Sequence, residues 1–173
     1  MAQSAKNNST DEILGTRDIS NQYLTFFLAG EEYGVSILDV QEVRVWDNVT
    51  SIPNAPKYVK GVLDLRGTIV PIVDLRIRFN MESVPYDETT VIVVLKIKHG
   101  KMEHVIGIVV DAVSDVLDVN SDQLKAAPEF EGGMNTEYIN GLATVNNKMV
   151  ILLDSSKLLT KSEMTAMKKI DDQ

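Results

Sequence analysis

The sequence predicts an all-β protein made of two small β-barrels with short helices, and three observations carry that prediction. The first is an internal repeat. Tyr33-Gly34-Val35-Ser36-Ile37 lines up with Ile106-Gly107-Ile108-Val109-Val110 at an offset of 73, and Gly61-Val62-Leu63 with Gly141-Leu142-Ala143 at an offset of 80. The longer offset also brings Ile69 to Met149, Ile72 to Leu152 and Asp74 to Asp154. The second is that each repeat, at about 22–80 and 89–160, reads as roughly five short strands punctuated by turn residues. Closing such a unit into a barrel removes its exposed edges. The third is size: half of 173 residues is too little for an independent core, so the two units are expected to share a core or exchange strands.

Residues 1–20 are polar and irregular apart from Ile13-Leu14, and read as a disordered lead-in to a folded region over 21–160. Tyr23 to Leu28 and Tyr33 to Ile37 read as a hairpin around Ala29-Gly30. Leu38 to Val43 reads as one helical turn or a bend into a strand from Val43 to Asp47, with a strand extension at Val49 to Ile52. Pro53-Asn54-Ala55-Pro56 imposes a loop, because both prolines restrict the backbone.

The central stretch is GVLDLRGTIVPIVDL, Gly61 to Leu75. Strands at Val62 to Leu65 and Thr68 to Val73 flank a turn at Arg66-Gly67, where Gly67 supplies a positive φ. Pro71 lacks an amide donor, which predicts an edge strand or a bulge. Asp74 is placed to cap a short helix from Leu75 to Phe79.

Thr89 to Ile97 is the most strand-like run, with His99 to Glu103 a turn and His104 to Val110 the returning strand. Val113 to Val119 reads as a strand, Ser121 to Leu124 as a brief turn, and Pro128 to Glu137 as a loop loosened by Gly132-Gly133. Tyr138 to Val145 and Met149 to Leu153 form a last hairpin through Asn146-Asn147. Asp154 then caps a helix through Leu158-Leu159, and 161–173 reads as its end or a frayed tail.

Composition narrows the function classes. Lys and Arg total 17 against 25 Asp and Glu, a net charge of −8, which argues against a nucleic-acid partner. Cysteine is absent, so there is no disulfide, thiolate nucleophile or cysteine metal site, and the composition suits a reducing cytoplasm. No apolar run reaches membrane-spanning length and no signal-peptide pattern opens the chain, so neither membrane insertion nor export is expected.

The same elimination extends to catalysis and metals. His99 and His104 are the only histidines, and they read as exposed turn residues rather than ligands or a catalytic base. Asp111, Asp115, Asp118 and Asp122 miss the spacing of a calcium loop and read as a solvated rim. No catalytic residue, metal or cofactor is expected.

What remains is a platform that presents one charged side chain. Arg66 at the turn tip is available for bidentate pairing with a partner, and Asp64 on the same strand face is placed to orient it. The bland alternative is an exposed pair that contributes little. Val40 and Glu42 combine an apolar and an acidic residue after the second strand, a pattern that suits either an interface or core packing. Gly34, Gly61 and Gly107 sit in strands, where glycine signals a bulge or close approach. Trp46 and Met134 are possible contact anchors, with a core or groove-wall place the plainer reading for Trp46. Arg66 also breaks the repeat, since the equivalent tip carries Asn146.

YLTFFLAGEEYGVSILDVQEVR, IPNAPKYVKGVLDLRGTIVPIVDLRIRF, VIGIVVDAVSDVL and APEF together resemble the CheW family of bacterial chemotaxis coupling proteins, over about Gln22 to Leu159. The resemblance implies two intertwined five-stranded SH3-like β-barrels and a non-enzymatic, cytoplasmic adaptor at membrane-bound receptor arrays. Its implied partners are the cytoplasmic tip of methyl-accepting chemoreceptors, the regulatory domain of the histidine kinase CheA, and further copies in array rings. By motif position, Val40, Glu42, Asp64 and Arg66 would serve the receptor-facing surface, and Leu63, Ile69 and Val70 the kinase. Gly61 and Gly107 would secure the geometry that binding depends on, with Gly34 and Gly67 structural. The sequence carries no kinase catalytic region and no receiver after Leu159, so a stand-alone adaptor is expected rather than a CheA- or CheV-like fusion. An adaptor of a related chemosensory pathway and a small-barrel ligand-binding module are the alternatives.

Overall fold

A computed structural model describes residues 21–127 and 137–171, with side chains through Ala166. The expectations for residues 1–20, for the loop with Met134, for the APEF segment beyond Ala127 and for the last residues lie outside these. Eleven strands are described: β1 (Gln22–Leu28), β2 (Glu31–Ser36), β3 (Val40–Val45), β4 (Val59–Leu65), β5 (Thr68–Asp74), β6 (Val91–His99), β7 (Met102–Val110), β8 (Ala112–Asp118), β9 (Leu124–Lys125), β10 (Ile139–Val145) and β11 (Lys148–Leu153). Two helices join them, α1 (Leu75–Arg78) and α2 (Lys161–Asp171), with short 3-10 turns at Ile37–Asp39 and Ser155–Lys157.

The strands form two curled sheets, ordered β8-β1-β2-β11-β10-β9 and β3-β6-β7-β5-β4. Each sheet draws strands from both repeats. The crossovers are two parallel pairings, Gly34 with Leu152 and Gly107 with Ile72. These are the same pair in the two copies, since 34 + 73 = 107 and 72 + 80 = 152. Closure also repeats. Thr50 bridges Val62 beyond the end of β3, and Lys125 of β9 pairs with Leu142 of β10. Each barrel is therefore five strands plus a short closing piece.

Both faces of the central strands are buried, which explains why Val91 to Leu95 runs apolar without alternation. Val93 and Leu95 join the large core shared by the sheets, along with Phe26, Val35, Val73 and Leu158. Ile92 and Val94 fill the interior of the second sheet with Val70 and Ile72. Val119, Ala143, Val150 and Leu152 do the same in the first.

Several local expectations change. β5 is not an edge strand, since it lies between β4 and β7. Val62, opposite Pro71, turns its N–H and C=O to Thr50, so β4 asks no donor of Pro71, and the pairing of β5 with β7 begins only at Ile72. The bulge lies in β4, between Val59 and Gly61. β6 and β7 run on to His99 and Met102, so both histidines are half-buried strand residues with rings 6.1 Å apart rather than exposed turn residues. The strand placed at Val43 to Asp47 starts earlier, at Val40. Beyond it, Val49 to Ile52 is represented by the Thr50 bridge.

The helix ends are held by side chains. The Asp74 carboxylate accepts from the Ile77 N–H at 3.2 Å, and Tyr86 donates its hydroxyl to the same group. Burial, then that carboxylate, push the Tyr86 phenol pKa far up. At α2, Thr160 and Glu163 form a reciprocal capping pair, with N–H to side-chain distances of 2.8 and 3.1 Å. Arg78 lies between the rings of Tyr58 and Tyr138, 5.1 and 5.2 Å away, and donates to Glu163 at 3.0 Å and to the Leu158 carbonyl. Tyr58 also donates to Glu163, and burial with this bond pushes its pKa up to about 12. Met164 thereby enters the shared core.

Candidate functional site

The β4–β5 hairpin lies at one end of the second sheet. Its tip turns through Arg66 at φ +52° and Gly67 at +89°, both left-handed. This is the conformation of a two-residue hairpin loop that matches strand twist, and it favours Asn and Gly. Holding an arginine there costs on the order of 1–2 kcal/mol. The equivalent tip uses Asn146 and Asn147 at +52° and +64°, residue types that tolerate the region. Arg66 is thus a side chain kept at an unfavourable backbone position.

Asp64 does not orient that arginine. Its carboxylate accepts from the Gly67 N–H at 2.8 Å and so fastens the turn. The carboxylate that meets Arg66 is Glu42 of β3, whose Oε1 lies 2.5 Å from Nη2, and Arg44 approaches the other oxygen at 3.7 Å. The Arg66 side chain is still 69% exposed, so most of the guanidinium faces solvent while one edge is braced. Because β3 and β4 are the two ends of one sheet, this ion pair spans the seam of the barrel.

Val40 is half-buried against the shared core, opposite Leu95. The apolar surface of β3 lies beyond it, at Val43 and Val45, with Leu38 just before the strand. The sequence reading missed these three residues. No periodicity marks them, because the partner of β3 is β6, some fifty residues away in the chain. Leu63 and Ile69 are half-buried on the hairpin, but Val70 is fully enclosed and has no side chain to offer a partner; it can only support the surface. Trp46 is half-buried, packs edge-on against Tyr86 with ring centres 4.4 Å apart, and is a wall residue.

Gly61 anchors the other side of the hairpin. At φ +150° a Cβ would lie 2.2 Å from the Thr50 carbonyl oxygen. Gly34 and Gly107 sit at the two crossovers, where a Cβ would come within 3.1 Å of Leu152 and 2.6 Å of Ile72 respectively. Gly67 has open space around it, so only its backbone conformation is demanded.

The carboxylates read as a solvated rim include one in a built ion pair. Asp111 receives Arg76 Nε at 2.8 Å and Nη2 at 2.5 Å, together with the Ala29 N–H at 2.9 Å. Burial alone would raise its pKa; these bonds outweigh it and hold the group below its ordinary value. Among the described residues no group of three or more His, Cys, Asp or Glu could hold a metal ion, and no helix is long and apolar enough to cross a membrane.

Comparison with known proteins gives one family. The model of the CheW-like domain matches residues 22–163. The chemotaxis protein CheW of Klebsiella aerogenes is 46% identical over 157 residues, covering 91% of this chain and 92% of that protein. The Bacillus subtilis chemotaxis protein CheW is 30% identical over 139 residues, covering 80% and 86%. The crystal structure of the scaffolding protein TtCheW from Thermoanaerobacter tengcongensis superposes with a TM-score of 0.72 at 29% identity, over 80% of this chain and 92% of that one.

Proposed function

The chain belongs to the CheW-like domain family, and from that premise we propose that it is a non-enzymatic chemotaxis adaptor, coupling the cytoplasmic tips of chemoreceptors to the histidine kinase CheA. The observation that carries the reading is the exposed, braced Arg66 at a turn where arginine is unfavourable. A site that stores backbone strain to display a guanidinium is suited to a protein partner's carboxylate or backbone oxygen. Val40, Glu42 and Arg66 form the receptor-facing group, with Asp64 holding the turn beneath them. Leu63 and Ile69 are the kinase-facing candidates.

Small contact surfaces of mixed apolar and charged character are adequate for an adaptor whose many copies act together. Work at the cytoplasmic face of membrane-bound arrays, and contacts between copies in array rings, follow from the same reading. Co-sedimentation of the purified protein with a receptor cytoplasmic fragment and CheA tests it. Capture in a ternary complex, with altered kinase activity, is the expected result; binding to neither partner overturns the assignment.

A further inference from the structure

The internal repeat supplies its own comparison for a cleft between the barrels. In one copy, Arg76 follows the capping Asp74 by two residues and reaches across to Asp111, between β7 and β8, beside the β1–β2 turn at Ala29. Its guanidinium also donates to the Glu82 carbonyl at 3.2 Å, so the chain's own arginine fills the space. In the other copy the capping residue is Asp154, and Ser156 stands where Arg76 would be, since 76 + 80 = 156. A cleft of about 500 Å³ remains there, between the Ile37–Asp39 turn, the β6–β7 hairpin and the Ser155–Lys157 turn.

The walls of that cleft set Asp39, Asp154 and Glu103 against Lys96 and Lys98. Asp39 and Asp154 both line it, and among the described residues Asp154 Oδ1 accepts from its neighbour Ser156, through N–H at 3.0 Å and hydroxyl at 2.6 Å. Burial, reinforced by the charge of Asp154, raises the Asp39 pKa, although Ser155 and Lys98 oppose the rise. Ser155 is 3% exposed, and among the described residues its hydroxyl, turned toward Asp39, completes no hydrogen bond. A buried hydroxyl without a partner is costly unless something binds it. Lys96 is occupied at the rim by Glu103, 3.4 Å away.

We propose that this cleft receives the guanidinium of an arginine side chain presented by a partner protein, in the place that Arg76 fills in the sister copy. A planar fork of five donors suits two carboxylates and a hydroxyl spread around one cavity, and a single ammonium suits them less well. The site is separate from the Arg66 tip and stands or falls independently of it.

The test is titration of the ¹⁵N-labelled protein with N-acetyl-arginine methylamide, followed by the amide resonances of Asp39, Lys98, Ser155 and Ser156. Saturable shifts confined to these residues are expected. The neutral isostere N-acetyl-citrulline methylamide should produce none at the same concentration. Asp39→Asn should weaken binding by roughly tenfold or more, the worth of a hydrogen bond to a charged group. Ser156→Arg should fill the cleft and abolish the shifts while the protein stays folded. Failure of wild type to respond, equal response to the citrulline compound, or undiminished binding by a folded Ser156→Arg protein overturns the proposal. If that variant does not fold, the wild-type and Asp39→Asn titrations decide it.

Discussion

Replacing Gly61 by alanine is expected to destabilise the protein far more than any other one-carbon change in the hairpin. The added Cβ would lie 2.2 Å from the Thr50 oxygen and 2.8 Å from its carbonyl carbon, so backbone, not a side chain, must retreat. Retreat breaks the two bonds by which Thr50 closes the barrel, 3.1 Å from Thr50 N to Val62 O and 2.9 Å from Val62 N to Thr50 O. At about 0.5–1.5 kcal/mol each they account for about 1–3 kcal/mol. Holding alanine at φ +150° adds about 1–3 kcal/mol. The sum, about 2–6 kcal/mol, is a large share of a typical stability of about 5–15 kcal/mol. For a chain of this size it lowers Tm by roughly 4–24 °C.

Urea titration and thermal melts of Gly61→Ala, beside Gly67→Asn as control, measure this. Gly67 has nothing within 4 Å of a Cβ and the sister tip already carries Asn147, so the control should lose less than about 1 kcal/mol. A Gly61→Ala protein within a degree or two of wild type would mean that the barrel closes without the Thr50 bridge.

Two further predictions concern the ion pairs that pack the helices. Burial alone would raise the pKa of Glu163, but bonds from Tyr58 and Thr160 and the charge of Arg78 bring it below the usual value. A depressed carboxylate pKa contributes stability that is present above the ordinary range near 4.5 and is lost as pH falls through the folded value. Glu163→Gln should therefore cost about 1 kcal/mol at pH 7 and progressively less below pH 4.5, as read by urea midpoints across pH. Arg76→Ala leaves Asp111 without its bidentate partner and should cost about 1–3 kcal/mol, most of it relieved by adding Asp111→Asn, in a double-mutant cycle of melts.

The repeat was legible because the positions that recur are those the fold constrains most tightly: Gly34 and Gly107 at the crossovers, Gly61 and Gly141 beside the closing bridges, Asp74 and Asp154 as caps. The Arg66 tip was legible for the same reason, since a two-residue turn declares itself locally. What depended on distant partners was not. Nothing near Arg66 in the chain points to Glu42, twenty-four residues back, whereas Asp64 is two residues away and its carboxylate is taken by the turn itself. Pro71 suggests an edge by its chemistry, but its place inside the sheet depends on where β7 stops pairing. The exposed apolar residues of β3 were missed because exposure there follows from sheet order, a property of the whole chain.

We propose that the Arg66 guanidinium, rather than the hairpin as such, serves the partners. Arg66→Asn separates the two, since asparagine occupies the equivalent tip at the same φ of +52° and should keep or slightly raise stability. The decisive measurement is binding of this variant to a receptor fragment and CheA, with its melt recorded alongside. An unchanged or higher Tm with loss of receptor association is the predicted result. Full association by a folded Arg66→Asn protein would mean that the guanidinium is not needed for binding.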